Sequence, residues 1–328
     1  MTDLTSLTMM DAFNTSFSHT EFILLAFPGT TVSRSVLFIP FLVLYVMIWS
    51  GNSLLMYRIW VEPSLQYPMY WLISLLFAVN LYCTTSIMPK FLLGLAFGLN
   101  QVSLGGCLVQ MFFIYSSLVF ESALVLVMAL DRFVAICRPL HYHTIMTKRL
   151  LIWLNVINMS RSVLLVSPVV ITLSKAHFCR SNIIFSFACE NLGLINLACG
   201  DVSSMHMLGL LVRTMVSVVD GGILLLSYIK ILYTAMKLVS GKAQNKALNT
   251  CGTHLMVAAL IYSCGILSRL GLSVSVTVQN MISVTYYLVP PAVNPLIYGL
   301  RVKEIRLCLK KSYGRNLVKE DRVGQGHT

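Results

Sequence analysis

The sequence predicts an all-α membrane protein, a seven-transmembrane helix bundle followed by a short amphipathic C-terminal helix. Three observations lead to this prediction. Of the 328 residues, 57% are hydrophobic and only 11% are charged, whereas soluble globular chains carry about 25% charged residues. Seven apolar stretches are each long enough for the roughly 20 residues that a helix needs to cross a bilayer. The basic residues, which give a net charge of +12, gather in alternate connecting segments.

The apolar stretches follow one another through short connections, which leave no room for a sizeable soluble domain. They cover residues 36–59, 69–93, 104–129, 150–173, 205–232, 253–276 and 283–300. We therefore divide the chain into an extracellular N-terminus (1–35), a transmembrane domain (36–300) and a cytoplasmic amphipathic helix with a tail (301–328).

The distribution of Lys and Arg sets the orientation, because short cytoplasmic loops retain basic residues. With the N-terminus outside, most of the 24 Lys and Arg residues fall on the cytoplasmic side. The same orientation exposes the sequon Asn14-Thr15-Ser16 to N-glycosylation. The basic charge of this plasma-membrane protein is thus confined to its inner face, where it predicts contacts with lipids and proteins and no binding of nucleic acid.

The segment after the last apolar stretch has the pattern of a helix at a membrane surface. Val302, Ile305, Leu309 and Tyr313 recur at helical spacing, with basic residues between them. Such a helix is expected to lie on the anionic inner leaflet, so membrane lipids are one predicted partner.

The nine cysteines divide by compartment. Cys107 opens the third apolar stretch from outside, and Cys179, Cys189 and Cys199 lie in the loop between the fourth and fifth stretches. Four extracellular cysteines permit three pairings, and the oxidising side favours two disulfide bonds. No Cys/His spacing resembles a metal site, and no cofactor is implied.

Four ionisable residues fall at membrane depth, where a charge is costly and marks function or a structural pair. They are Glu121, Arg161, Arg213 and Asp220. Arg213 and Asp220 share a helix face but are about 10 Å apart along the axis, too far for a direct bond. Each therefore needs a partner on another helix, or a place in a water-filled pocket. For Arg213 the sequence does not decide between these two alternatives.

The inner end of the third stretch carries a specific motif. Residues 128–137 read MALDRFVAIC and residues 139–142 read PLHY. These closely resemble the MAYDRYVAIC and PLHY signature of vertebrate odorant receptors, a branch of the rhodopsin-like (class A) G-protein-coupled receptors. Further pieces follow in the family's order, including PPAVNPLIY over residues 290–298, and the resemblance covers roughly residues 21–311. Phe27-Pro28-Gly29 and the Pro-Pro pair resemble the fish-like class I branch.

The resemblance implies a receptor, not an enzyme, that binds a small odorant within the bundle. It further implies that the receptor activates a heterotrimeric G protein of the olfactory Gs type and so raises cAMP. By the family's pocket positions, the ligand-binding residues would be Ile114, Tyr115, Leu118, Val119, Val212, Arg213, Val216, Tyr262, Ile266, Arg269, Val284 and Tyr287. The family's loop pattern implies the disulfide bonds Cys107–Cys189 and Cys179–Cys199.

The resemblance also implies a switch at the cytoplasmic end. Arg132 would be held by Asp131 and would meet the G protein when the sixth helix moves outward. The residues assigned to this switch are Asp131, Arg132, Tyr228, Lys246, His254 and Tyr298. No acidic residue lies between positions 230 and 254, so a restraint on Arg132 across the bundle must come from elsewhere.

A polar core is implied deeper in the bundle. Its members would be Asn52, Asn80, Glu121 and Asn294. At position 80 the family normally has Asp, which contributes to a sodium and water site. Asn80 keeps the hydrogen bonding but removes a charge, so sodium modulation is doubtful here.

Arg213 and Arg269, with no acid nearby except Asp220, favour a carboxylate-bearing ligand, because guanidinium binds carboxylate bidentately. Uncharged odorants stay open if Arg213 is tied to Asp220 or to a neighbouring helix. The alternative functions are a non-olfactory, metabolite-sensing class A receptor and a transporter or channel. A transporter is disfavoured because the two halves of the chain are not related to each other. An intramembrane enzyme is disfavoured because its usual catalytic motifs do not occur.

Overall fold

The computed structural model describes residues 18–28, 34–238, 242–267 and 275–308; within helices, it leaves out the side chains of residues 34, 35, 235, 238, 242–250 and 264–267. These ranges contain seven long helices. They are α1 (Arg34–Val61), α2 (Pro68–Phe97), α3 (Leu104–Cys137), α4 (Lys148–Ser174), α5 (Ser203–Leu238), α6 (Lys242–Leu267) and α7 (Val276–Arg301).

The seven helices pack as a closed bundle in which α3 is central. Along the ring, each helix contacts the next in chain order from α1 to α7, and α7 returns to α1 and α2. Helix α3 contacts α2, α4, α5 and α6, and its middle is correspondingly buried. The outer faces of α1, α4 and α5 instead expose many large apolar side chains, as expected of surfaces that face lipid.

Within the described ranges, five helices, α1 to α5, are long and apolar enough to cross a membrane, and α6 contains a shorter apolar part over Cys251–Ser263. The prediction of a helical membrane protein is therefore confirmed. The predicted end of the sixth stretch at residue 276 is wrong, because that residue begins α7. Both of the last two helices also begin before their apolar stretches, α6 at Lys242 and α7 at Val276.

Local capping explains why α7 begins earlier than its apolar stretch. The Ser275 side chain accepts a hydrogen bond from the Val278 N–H at the first turn of α7, which satisfies a backbone donor that the helix leaves free. The polar residues Gln279 and Asn280 then lie inside the helix, although they lower its hydropathy. Similar caps begin α3, at Ser103, and α4, at Thr147.

Three short strands depart from the all-α prediction. Strand β1 (Glu21–Leu24) lies between β2 (Gln101–Ser103) and β3 (Ile183–Ile184), antiparallel to β2 and parallel to β3. The sheet covers the bundle end at which α3 begins. It ties part of the segment predicted as N-terminus to two interhelical connections, and Phe22 of β1 is fully buried beneath it.

The opposite end is closed by short helical segments. A 3₁₀ turn (Pro63–Leu65) and a short helix (Tyr142–Ile145) connect the long helices. Residues 303–308 are helical after α7, and their apolar side chains Ile305 and Cys308 pack on the bundle core with Leu55 and Ile59. This part of the predicted amphipathic helix is therefore held by the bundle, while Leu309 and Tyr313 lie outside the described residues.

Candidate functional site

The predicted pocket residues of α3 and α7 come together in one apolar cluster. Ile114 and Tyr287 are buried in it, and Tyr115, Leu118 and Val284 pack against it. Val119 on α3 is also buried, whereas Val212 and Val216 on α5 are half-buried. The predicted residues Ile266 and Arg269 cannot be placed, because the side chain of the first and the whole of the second lie outside the described residues.

The loop between α4 and α5 forms a roof over this cluster. The structure contains the disulfide bonds Cys107–Cys189 and Cys179–Cys199, and the first of them fixes the loop to the start of α3. The Cys189 N–H also donates to the Gln110 side chain over 3.0 Å. Two residues later, the Asn191 N–H donates to the Tyr115 hydroxyl over 2.9 Å.

Glu190, between these two anchors, is a site residue that the sequence analysis missed. Burial raises the pKa of its carboxyl to about 7, against the opposing effects of a hydrogen bond from Ser283 on α7 and the charge of Arg213 on α5. The roof thus brings an acidic group to the pocket. The sequence signal that would have identified Glu190 is its position directly after Cys189, a cysteine of the loop between α4 and α5.

The acid predicted to lie near Arg213 has a different partner. Arg161 on α4 binds both carboxylate oxygens of Asp220 from one guanidinium nitrogen, over 2.8 and 2.9 Å. Asp220 therefore has its partner on another helix, as one of the two expectations had it, while the choice between a partner on another helix and a place in a water-filled pocket stays a prediction for Arg213. The expectation that Arg213 has no acid nearby except Asp220 is corrected as well, since Arg213 acts on Glu190.

Asp220 belongs to a hydrogen-bonded chain across four helices. Ser122 on α3 donates to Asp220 over 2.8 Å, and its oxygen lies 2.9 Å from the Tyr262 hydroxyl on α6. Since the single hydroxyl hydrogen of Ser122 is used toward the carboxylate, the Tyr262 hydroxyl is the donor in the second bond. The predicted pocket residue Tyr262 is thereby coupled to α3, α4 and α5.

The predicted polar core divides into two parts. The Asn52 amide donates to the Ile48 and Pro291 carbonyls, and Asn80 donates to the Asn52 side-chain oxygen over 2.8 Å. These contacts join α1, α2 and α7. Glu121 and Asn294 are also buried, but within the described residues Glu121 Oε1 and both amide atoms of Asn294 form no hydrogen bond.

At the end of the bundle opposite the strand sheet, Arg132 is paired with Asp131, as the resemblance implies. The Arg132 Nε donates to Asp131 Oδ2 over 2.9 Å. The other carboxylate oxygen accepts from the Tyr142 hydroxyl over 2.7 Å, so the PLHY tyrosine holds the pair from the short helix after α3. Burial, followed by the charge and the hydrogen bond of Asp131, raises the pKa of Tyr142. The sequence analysis did not assign Tyr142 this contact.

The other switch residues lie on α5, α6 and α7. The Tyr298 hydroxyl is 3.2 Å from His254 Nδ1 and joins α7 to α6. Tyr228 is buried on α5 and packs with Cys251 of α6, and its hydroxyl has no hydrogen-bond partner among the described residues. The side chain of Lys246 is outside the described part of the chain, so its predicted orientation is not tested.

A roofed helical bundle with an apolar cluster at one end and a paired arginine at the other has the architecture of a membrane receptor. A sequence profile described as olfactory receptor matches residues 41–315. Human olfactory receptor 52H1 is 37% identical over 302 residues, which cover 90% of this chain and 96% of the relative. Human olfactory receptor 52K1 is 34% identical, covering 91% and 96%, and human olfactory receptor 51L1 is 36% identical, covering 87% and 92%.

The chain belongs to the olfactory receptor family. It is a multi-pass membrane protein and an odorant-sensing G-protein-coupled receptor, a signalling protein rather than an enzyme. The resemblance to odorant receptors is thus confirmed, and this assignment replaces the transporter, channel and enzyme alternatives. Small-molecule odorants and G proteins are its partners as a member of this family.

Proposed function

We propose that the protein is a seven-span odorant receptor of the class I branch, with its N-terminus (1–35) outside the cell, its transmembrane domain over 36–300 and its C-terminal segment (301–328) in the cytoplasm. Both disulfide bonds and the strand sheet lie at one end of the bundle. This supports an extracellular position for that end, because disulfide bonds form and persist in oxidising surroundings. Basic residues such as Arg58 and Arg132 lie at the other end. Asn14, outside the described residues, provides the test: Asn14→Gln should abolish a glycan-dependent mass shift.

We also propose that a small odorant binds above the apolar cluster, beneath the roof that carries Glu190. The support is the packing of α3 and α7 side chains in that cluster and the charge of Arg213 of α5 near Glu190. The hydrogen bonds that couple Tyr262 to Asp220 of α5 through Ser122 add to it. The predicted lining from Val119, Val212, Val216, Ile266 and Arg269 remains part of this proposal. An apolar cavity with a few polar groups is the usual form of a small-molecule site.

The ligand class that we propose is a small carboxylate. The observation that carries this proposal is the Arg161–Asp220 pair, because it leaves the guanidinium of Arg213 available to an anion. Glu190 does not forbid such a ligand, since a carboxyl group with a pKa of about 7 holds a proton in a large fraction of the molecules at neutral pH. A protonated carboxyl donates a hydrogen bond to a carboxylate instead of repelling it.

A cAMP reporter screen in cells with an olfactory Gs-type protein tests both ligand class and coupling. Small carboxylic acids and their methyl esters form matched pairs that differ in charge. We expect the acids to activate, and Arg213→Gln to raise their half-maximal concentration at least roughly tenfold, because a charge-assisted hydrogen bond contributes about 1.5–3 kcal/mol. Arg180→Gln, which removes the same charge in the exposed loop, is the control.

Three outcomes contradict parts of this proposal. Equal responses to acids and esters, unchanged by Arg213→Gln, contradict the carboxylate. Activation that persists in cells without Gs-type subunits contradicts the coupling. A response that does not depend on any G protein contradicts the switch role that we propose for Asp131, Arg132, Tyr228, Lys246, His254 and Tyr298.

A further inference from the structure

A groove of about 440 Å³ lies on the outside of the bundle between α2 and α3. Its floor is formed by Val109 and Phe113 of α3, and one wall by Ser86 and Lys90 of α2. Strand β2 closes the upper end. None of the residues predicted to bind the odorant lines this groove.

Lys90 is the unusual residue in this groove. It is half-buried, and it forms no hydrogen bond or ion pair with any of the described residues. The two salt bridges in that part of the chain, Arg132–Asp131 and Arg161–Asp220, lie on other helices. Lys90 is seven residues before the end of α2 at Phe97, or about 10 Å along the axis. A half-buried ammonium group is costly without a partner.

The groove also offers donors beside Lys90. The Ser103 oxygen accepts from the Gly106 N–H over 3.2 Å, which leaves its hydroxyl hydrogen for another acceptor. Gln101 is exposed and its side chain forms no hydrogen bond with the described residues. Gln110, in contrast, already uses both its amide nitrogen and its oxygen, because it donates to the Ser86 carbonyl and accepts from the Cys189 N–H. The upper end of the groove therefore holds three hydrogen-bond donors, on Lys90, Gln101 and Ser103, and none of the described residues provides an anionic group to accept from them.

Below these donors the groove is apolar. Val109 is 54% and Phe113 39% exposed, and the Phe113 ring packs edge-on against Tyr82 with centroids 5.6 Å apart. Since this surface lies on a membrane-crossing helix, its natural covering is a hydrocarbon chain. A cation above an apolar floor is complementary to a molecule with an anionic head and an acyl tail.

We propose that this groove is a binding site for a phospholipid of the outer leaflet. The phosphate accepts from the Lys90 ammonium and from the side chains of Gln101 and Ser103, while one acyl chain lies along Val109 and Phe113. The leaflet follows from the orientation proposed above; the site itself does not depend on odorant recognition or on G-protein coupling.

The test uses the full-length receptor in nanodiscs of phosphatidylcholine that contain a small fraction of a photoactivatable analogue with a diazirine in the acyl chain. After irradiation, mass spectrometry of peptides measures labelling of the segment from Gly106 to Phe113. We expect Lys90→Met to lower this labelling roughly tenfold, as the loss of a charge-assisted hydrogen bond implies, and Lys90→Arg to retain most of it. Lys175→Met, at the exposed extracellular end of α4, is the matched control.

A second variant acts without changing charge. Val109→Trp fills the apolar floor at an exposed position and should also lower the labelling, while millimolar inorganic phosphate should not compete with the lipid. Labelling that is the same in Lys90→Met, Val109→Trp and the unaltered receptor overturns the proposal. So does displacement by inorganic phosphate, which would make the site one for free anions. Glycosylation at Asn14 and the cAMP response report on topology and function separately.

Discussion

The Arg161–Asp220 pair makes a quantitative prediction about stability. Asp220 is 1% exposed and accepts three hydrogen bonds, two from Arg161 and one from Ser122. Arg161→Met removes two of the three and leaves a buried carboxylate with one donor. Removing one member of a buried pair costs about 3–5 kcal/mol. The side chain of Arg161 is 29% exposed, so we expect the lower end, about 3 kcal/mol.

The double variant separates pairing from simple loss of packing. Arg161→Met combined with Asp220→Leu removes both charges and leaves apolar groups of similar size. Replacing a whole buried pair in this way is often neutral or stabilising. We therefore expect the double variant to be more stable than Arg161→Met alone, with a coupling energy of about 2 kcal/mol between the two positions.

The assay is thermal unfolding of the purified receptor with a thiol-reactive dye. The buried free cysteines Cys83, Cys251 and Cys308 become reactive only when the bundle opens. At about 2–4 °C per kcal/mol, the single variant should lose roughly 6–12 °C in Tm. A loss below about 2 °C, or strictly additive effects in the double variant, would refute the reasoning that Asp220 depends on Arg161.

Three further predictions concern other contacts. Tyr142→Phe removes a hydrogen bond of about 1.5–3 kcal/mol to the Asp131 carboxylate and should raise cAMP in the absence of ligand at equal surface expression. Unchanged basal cAMP would show that Tyr142 does not restrain the Asp131–Arg132 pair. The pKa of Glu190 is raised in the folded state, so between about pH 4.5 and 7 the folded state holds a proton that the unfolded state has lost. Tm should therefore fall as pH rises through this range, and Glu190→Gln should flatten the dependence of Tm on pH. The same dependence in the variant and the unaltered receptor would contradict this prediction. Asn280→Ala removes donation to the Ala26 carbonyl and should speed proteolysis of the N-terminal segment in intact cells, whereas an unchanged rate would mean that the strand sheet alone holds it.

The helices could be predicted from the sequence because each carries its own signal. Apolar runs of about 20 residues define α1 to α5 without reference to any neighbour. Helix limits were less predictable where polar residues continue a helix, as Gln279 and Asn280 do in α7. The short strands gave no signal, because two to four residues carry too little alternation to be distinguished from a loop.

The site was predictable to the extent that the family motif carries it. The Asp131–Arg132 pair lies within the motif itself, and Ile114 and Tyr287 are assigned from the family's pocket positions. The contacts made by Glu190 and Tyr142 do not, since each depends on a loop that folds back over the bundle.

The sequence by itself determined that this is a helical membrane protein with its basic residues at one end, because hydropathy and charge act on each segment separately. Only the tertiary structure decided which charges neutralise one another. Arg213 and Asp220 share one face of α5, yet Asp220 binds Arg161 of α4. A buried charge pairs with the opposite charge that packing brings within hydrogen-bonding reach, and that distance is set by how the helices meet rather than by their spacing along the chain.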